Sequence, residues 1–113
     1  MSEPQTRSNI DESLIQEITR RVLSVARPEK IILFGSAATG KMSPDSDIDL
    51  LVVEPSDRDR LEETDLIDEV LTQLNWPFDV VVMSSEWFHR TKDVVGGIAY
   101  PARKHGRVIY ESA

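Results

Sequence analysis

Asp47-Ile48-Asp49 sets two carboxylates at the head of an apolar run, and Gly35-Ser36 closes the apolar run before it. A third carboxylate, Asp79, lies near the start of a later apolar stretch. Carboxylates two positions apart share one face of a regularly pleated strand. An aspartate in an otherwise apolar strand carries a desolvation cost and calls for a partner or a cation. Were the three to meet, each would oppose ionisation of the others, and the group would require a hard divalent ion such as Mg2+ or Mn2+. A turn of small residues beside them is the size of a phosphate. A metal pair about 3.5–4 Å apart would steady the attacking and leaving oxygens of a phosphoryl displacement. The ligand that suits such a constellation is a metal-bound nucleotide.

These residues need a scaffold, and 113 residues suffice for one domain with one core. Residues 1–113 are therefore expected to form a single unit, with residues 1–8, polar throughout, as a frayed start rather than a secretion signal. No apolar run approaches the roughly 20 residues of a membrane span, so a soluble, cytoplasmic protein without membrane contact is expected. Absence of cysteine excludes disulfides and thiolate metal sites. A net charge of −7 argues against tracking a long nucleic acid, which needs a surplus of Lys and Arg. A single nucleotide arriving as its magnesium complex escapes that objection, because the cation masks the phosphates. Self-association into an oligomer is left open by the composition.

Leu14, Ile15, Ile18, Val22 and Leu23 fall at helical spacing over residues 11–24, with Asp11 and Glu12 at the positive end of the dipole. Pro28 follows, and Lys30-Ile31-Ile32-Leu33-Phe34 reads as a strand that stops at Gly35. Residues 35–46 hold at most one helical turn, and residues 48–53 predict the second strand. Pro55-Ser56-Asp57 supplies turn and N-cap chemistry for a second amphipathic helix, marked by Leu61, Leu66, Ile67, Val70, Leu71 and Leu74 and stopped by Asn75. Residues 78–83, apolar on both faces except at Asp79, predict a central strand. Ser84-Ser85-Glu86 caps a short helix with Trp87 and Phe88. Gly96-Gly97 precedes another helical stretch over 98–103, and Arg107-Val108-Ile109-Tyr110 predicts a closing strand. The fold class expected is α/β (α+β), a small mixed sheet with helices packed against it.

A strand–helix–strand unit gives parallel strands, so the second and third strands start at the same edge. Asp47 and Asp49 then lie beside Asp79 if those strands are neighbours. The link from Ser36 to Asp47 is too short for a parallel crossover, so the first strand runs antiparallel to the second and delivers Gly35-Ser36 to the same edge.

With those residues in place, the chain resembles the minimal nucleotidyltransferases of the DNA polymerase beta superfamily. The resemblance rests on "LFGSAATGKMSPDSDIDLLVV" followed by "FDVVV", covers residues 31–83, and extends weakly to "RKHGRVIYE". It implies a nucleotidyltransferase fold in which Gly35 and Ser36 hold the triphosphate and Asp47 and Asp49 bind Mg2+ or Mn2+. Asp79 would complete the metal site and help to deprotonate the acceptor hydroxyl. The chain departs from the pattern at Ala37 and Thr39, where many relatives carry arginine; Lys41, Arg103, Lys104 and Arg107 are the cations available instead. His89 and His105 have no metal-ligand spacing and read as surface or boundary residues. Members this short resemble the antitoxin partners of HEPN toxins, which move AMP from ATP onto a toxin tyrosine. A HEPN-like protein partner, with ATP as substrate, is thereby implied.

Two other readings compete. "GSAATGK" matches the first seven positions of a P-loop, but Met42 stands where Ser or Thr must hold magnesium, and Pro44 leaves no room for the required helix. A non-catalytic subunit that binds nucleotide or neutralises its partner by stoichiometric contact is the other, favoured by the missing arginines.

Overall fold

The computed structural model describes residues 11–39, 46–55 and 60–112. The polar start at 1–8, the N-cap at Ser56-Asp57 and Lys41 lie outside the described residues. The order is α1 (Glu12–Leu23), β1 (Lys30–Phe34), α2 (Ser36–Thr39), β2 (Ile48–Glu54), α3 (Arg60–Leu71), a 3-10 turn (Thr72–Leu74), β3 (Phe78–Ser84), α4 (Ser85–Thr91), α5 (Ala99–His105) and β4 (Arg107–Glu111). Four strands form one mixed sheet in the order β3-β2-β1-β4. The β2–β3 pair is parallel, while β1 pairs antiparallel with both β2 and β4, so the expected class and strand directions are those observed.

Alternation along the strands splits the core into two layers. Leu50 and Val52 of β2 pack with Ile31 and Leu33 of β1 against Ile18, Val22, Ile67 and Leu71 of α1 and α3. Leu51 and Val53, on the other face, pack with Ile32 and Met83 against Phe88, Ala99 and Ala102 of α4 and α5. Local chemistry sets the helix ends: the Asp11 carboxylate accepts from the Leu14 amide at 2.8 Å, and the Ser84 hydroxyl accepts from the Trp87 amide at 3.1 Å. Asn75 ends the α3 segment in the left-handed region at φ 60°. Arg21 ties α1 to the α3 segment by donating to the Val70 carbonyl at 3.0 Å and to Gln73 at 3.2 Å.

Two expectations are corrected. β3 is the edge strand among the described residues, not a central one. Its apolar character on both faces has another source: Phe78 and Val80 pack into the α1/α3 layer and Val81 into the α4/α5 layer, so β3 is covered above and below without a strand on its outer side. The buried stripe of α3 is also narrower than its leucines suggest. Leu61 is 80 % exposed and Leu66 40 %, whereas Glu63, Ile67 and Leu71 are buried. At 100° per residue, positions 63, 67 and 71 form one stripe, and 61 and 66 fall outside it. Ile67→Ala is accordingly expected to cost about 2–5 kcal/mol and Leu61→Ala less than about 0.5 kcal/mol, as read from urea unfolding. Equal costs would contradict this assignment of the helix faces.

Candidate active site

The register brings the singled-out residues to one end of the sheet. Asp49 is the cross-strand partner of Asp79 on the parallel side and of Phe34 on the antiparallel side. Neighbouring strands lie about 4.8 Å apart, and parallel partners project from the same face. Asp49 and Asp79 therefore share the face of Leu51 and Val81, which carries α4 and α5. Asp47 immediately precedes β2 and is exposed, and Asp79 is exposed as well. The Ile48 amide donates to the Pro77 carbonyl at 2.8 Å, fixing the start of β2 against the start of β3.

Gly35 completes this corner. Its φ of +70° lies in the left-handed region, which turns the chain sharply out of β1 into α2. A Cβ there would come within 2.2 Å of Asp49 Oδ2 and 3.2 Å of Asp49 Cγ. The Asp49 carboxylate thus rests directly over the glycine backbone, and the turn opening with Gly35 and Ser36 adjoins the carboxylates.

Electrostatics mark the same point. Burial, then the charge of Asp79, then that of Asp47, push the Asp49 carboxyl above its ordinary value of 3.8. Carboxylate oxygens are hard donors of the kind that divalent cations take. As the chain stands, no group of three His, Asp or Glu side chains among the described residues is drawn together closely enough to grip an ion. Asp49 and Asp79 are paired in register, with Asp47 just ahead of β2.

Asp68 of α3 escaped the sequence reading. Burial, then Asp65, then Asp79, raise its carboxyl above 3.8, so its field reaches the same corner. Its i, i+3 spacing from Asp65 on a helix crossing over to β3 was the available signal. The three alternative cations among the described residues have other partners. Arg103 pairs with Asp93 at 2.7 Å, Lys104 approaches the Tyr100 hydroxyl at 3.2 Å, and Arg107 pairs with Glu12. Arg107 stands opposite Leu33, a residue of the α1/α3 layer, and so projects from the face opposite the carboxylates. Ala37 is buried in that same layer, which explains why an arginine is not accommodated there without repacking. His89 and His105 are exposed, as expected. The P-loop context finds no support among the described residues: β2 begins at Ile48, seven positions after Lys41, which leaves no room for the long helix that cradles phosphates.

A chain from Methanocaldococcus jannaschii bearing the name protein adenylyltransferase is 33 % identical over 102 residues, spanning 88 % of this chain and 98 % of its own. A crystal structure of a toxin–antitoxin with AMP-PNP superimposes with a TM-score of 0.66 at 19 % identity, covering 87 % of this chain and 73 % of that one. A tri-AMPylated Shewanella oneidensis HEPN toxin in complex with its MNT antitoxin gives a TM-score of 0.51 at 16 % identity, over 87 % of this chain and 73 % of that one. Both structural likenesses speak for the fold alone. Residues 12–100, which hold every element from α1 to the start of α5 together with the Gly35-Ser36 turn and the three aspartates, match the nucleotidyltransferase domain, and the chain belongs to that family, a nucleotidyltransferase.

Proposed function

We propose that this nucleotidyltransferase moves AMP from ATP onto a hydroxyl of a partner protein, with a HEPN-like toxin tyrosine as the acceptor and the chain as its antitoxin. The observation that carries the reading is Asp49, seated over the Gly35 backbone on one side and in register with Asp79 on the other. The adenylyltransferase name of the relative that is one-third identical supports AMP as the unit moved. Those structures with AMP-PNP and with an AMPylated HEPN toxin support the partner. Asp47, Asp49 and Asp79 would hold Mg2+ or Mn2+, which when bound supplies positive charge to the α-phosphate and to the departing oxygen. Gly35 and Ser36 would receive the triphosphate at the turn that adjoins Asp49. Asp79, exposed at the sheet edge, accepts the acceptor proton. The acceptor oxygen then bonds to the α-phosphorus, the bond from that phosphorus to the bridging oxygen breaks, and pyrophosphate leaves with the electron pair. The proposed setting is the cytoplasm, with residues 1–113 acting as one domain; no described helix is long and apolar enough to cross a membrane.

Incubation of the purified chain with its co-purified partner and Mg-ATP, followed by mass spectrometry, is expected to show AMP adducts on the partner. These adducts should vanish in Asp47→Asn and persist in Lys41→Ala. The non-catalytic reading is favoured by Ala37 and Thr39 in place of arginine. It would be upheld by an intact complex without any adduct.

A further inference from the structure

If the chain transfers AMP to a protein, the acceptor must approach over the sheet face that bears α4 and α5, because the aspartates lie on that face. The α4–α5 segment on it differs in charge from the remaining molecule. Residues 85–105 contain four Lys/Arg and two Asp/Glu, while the rest of the chain contains nine Lys/Arg against eighteen Asp/Glu. Of the two acids in that segment, Asp93 is matched by Arg103 at 2.7 Å.

The same surface exposes apolar side chains. Trp87 is 50 % exposed, Val94 55 %, Val95 76 % and Ile98 42 %. Arg103 also donates to the Lys92 carbonyl at 3.3 Å, pinning the base of the segment that joins α4 to α5. Above that base Gly96 reverses the chain at φ +110°, and nothing lies within 4 Å of the Cβ positions of Gly96 or Gly97. Valines held at an open tip gain nothing from solvent, and several exposed large apolar side chains within one short segment that also carries cations suit a protein interface.

We propose that this α4–α5 surface docks an acidic segment of the acceptor protein, with Trp87, Val95 and Ile98 as its apolar centre and Arg90, Lys92 and Lys104 as its cationic rim. The proposal rests on the transfer reading and adds the chemistry of the partner. Charge complementarity selects the occupant: an acidic polypeptide is repelled by the bulk of a chain of net charge −7 and attracted to the cations of the α4–α5 segment, which orients the encounter. A nucleic-acid backbone calls for a continuous basic track, whereas these cations are interspersed along the sequence with exposed apolar residues.

Fluorescein-labelled poly(Glu,Tyr) copolymer, titrated with the full chain and read by anisotropy without nucleotide, tests the surface. Poly(Lys,Tyr), phosphatidylserine vesicles and single-stranded RNA serve as comparison ligands. The wild-type chain should bind poly(Glu,Tyr) in preference to all three. An Arg90→Glu/Lys104→Glu double variant should bind it at least about tenfold more weakly, and Val95→Asp should weaken it several-fold. All the altered docking positions are exposed, and circular dichroism verifies folding. The proposal is overturned by no wild-type binding, by a double variant within about twofold of wild type, or by tighter binding of basic copolymer, vesicles or RNA. Because binding is read without ATP, failed docking is distinguishable from failed transfer.

Discussion

Asp49→Asn is expected to lower AMP transfer by about 10²–10³-fold or more and, at the same time, to raise the melting temperature by about 2–5 °C. The opposed signs have one cause. Burial and the charges of Asp79 and Asp47 hold the Asp49 carboxyl above 3.8, so its ionised form weakens the fold at neutral pH while providing the negative charge that a divalent cation needs. Solvent reaches this half-exposed group and screens the penalty, which keeps the gain to a few degrees. In the unfolded chain the group titrates near its ordinary value. Its destabilising contribution is therefore fully present above the raised folded value, fades as pH falls through it, and is absent below 3.8. Thermal melts in EDTA at falling pH should show the wild type and the Asn variant converging across that window. A lower melting temperature for Asp49→Asn at neutral pH would contradict this account of the corner.

Gly35→Ala is expected to reduce transfer by about 10²-fold and to destabilise the fold by about 1–3 kcal/mol. Two costs combine: an L-residue is strained at φ +70°, and its Cβ would collide with Asp49 Oδ2 at 2.2 Å. Relief of the collision requires either the carboxylate or the turn to move, and either movement separates the phosphate site from the metal ligands. A double-mutant cycle isolates the two costs. With Asp49→Ala as background, the steric part of the Gly35→Ala penalty should disappear and the backbone part remain. Additive effects across the cycle would show that the turn and the carboxylate are energetically independent.

Much of this arrangement was legible before any coordinates. Periodicity in Ile15, Ile18 and Val22 fixed α1, and the strand-length run before Gly35 fixed β1. Chain connectivity did the rest for the site: the short link after Ser36 and the helix between Asp49 and Asp79 determine antiparallel and parallel neighbours, and hence the shared edge. What was not legible depends on three-dimensional neighbours. A strand covered by helices on both faces has the same composition whether or not a second strand flanks it, so the edge position of β3 left no trace in residues 78–83. Leu61 marks the amphipathic helix in the sequence, yet its angle on α3 places it outside the buried stripe of Ile67 and Leu71. The burial of Ala37 and the reach of Asp68 toward Asp79 likewise required packing that no local pattern encodes.

Manganese and a non-hydrolysable ATP analogue diffused into crystals of the chain, with anomalous diffraction recorded for the metal, give the most direct test of whether three acidic side chains form one nucleotide-transfer site. The expected result is manganese bound at about 2.0–2.3 Å by oxygens of Asp47, Asp49 and Asp79, with the triphosphate lying along Gly35 and Ser36. Manganese held without Asp79, or a triphosphate seated away from the Gly35 turn, would contradict it.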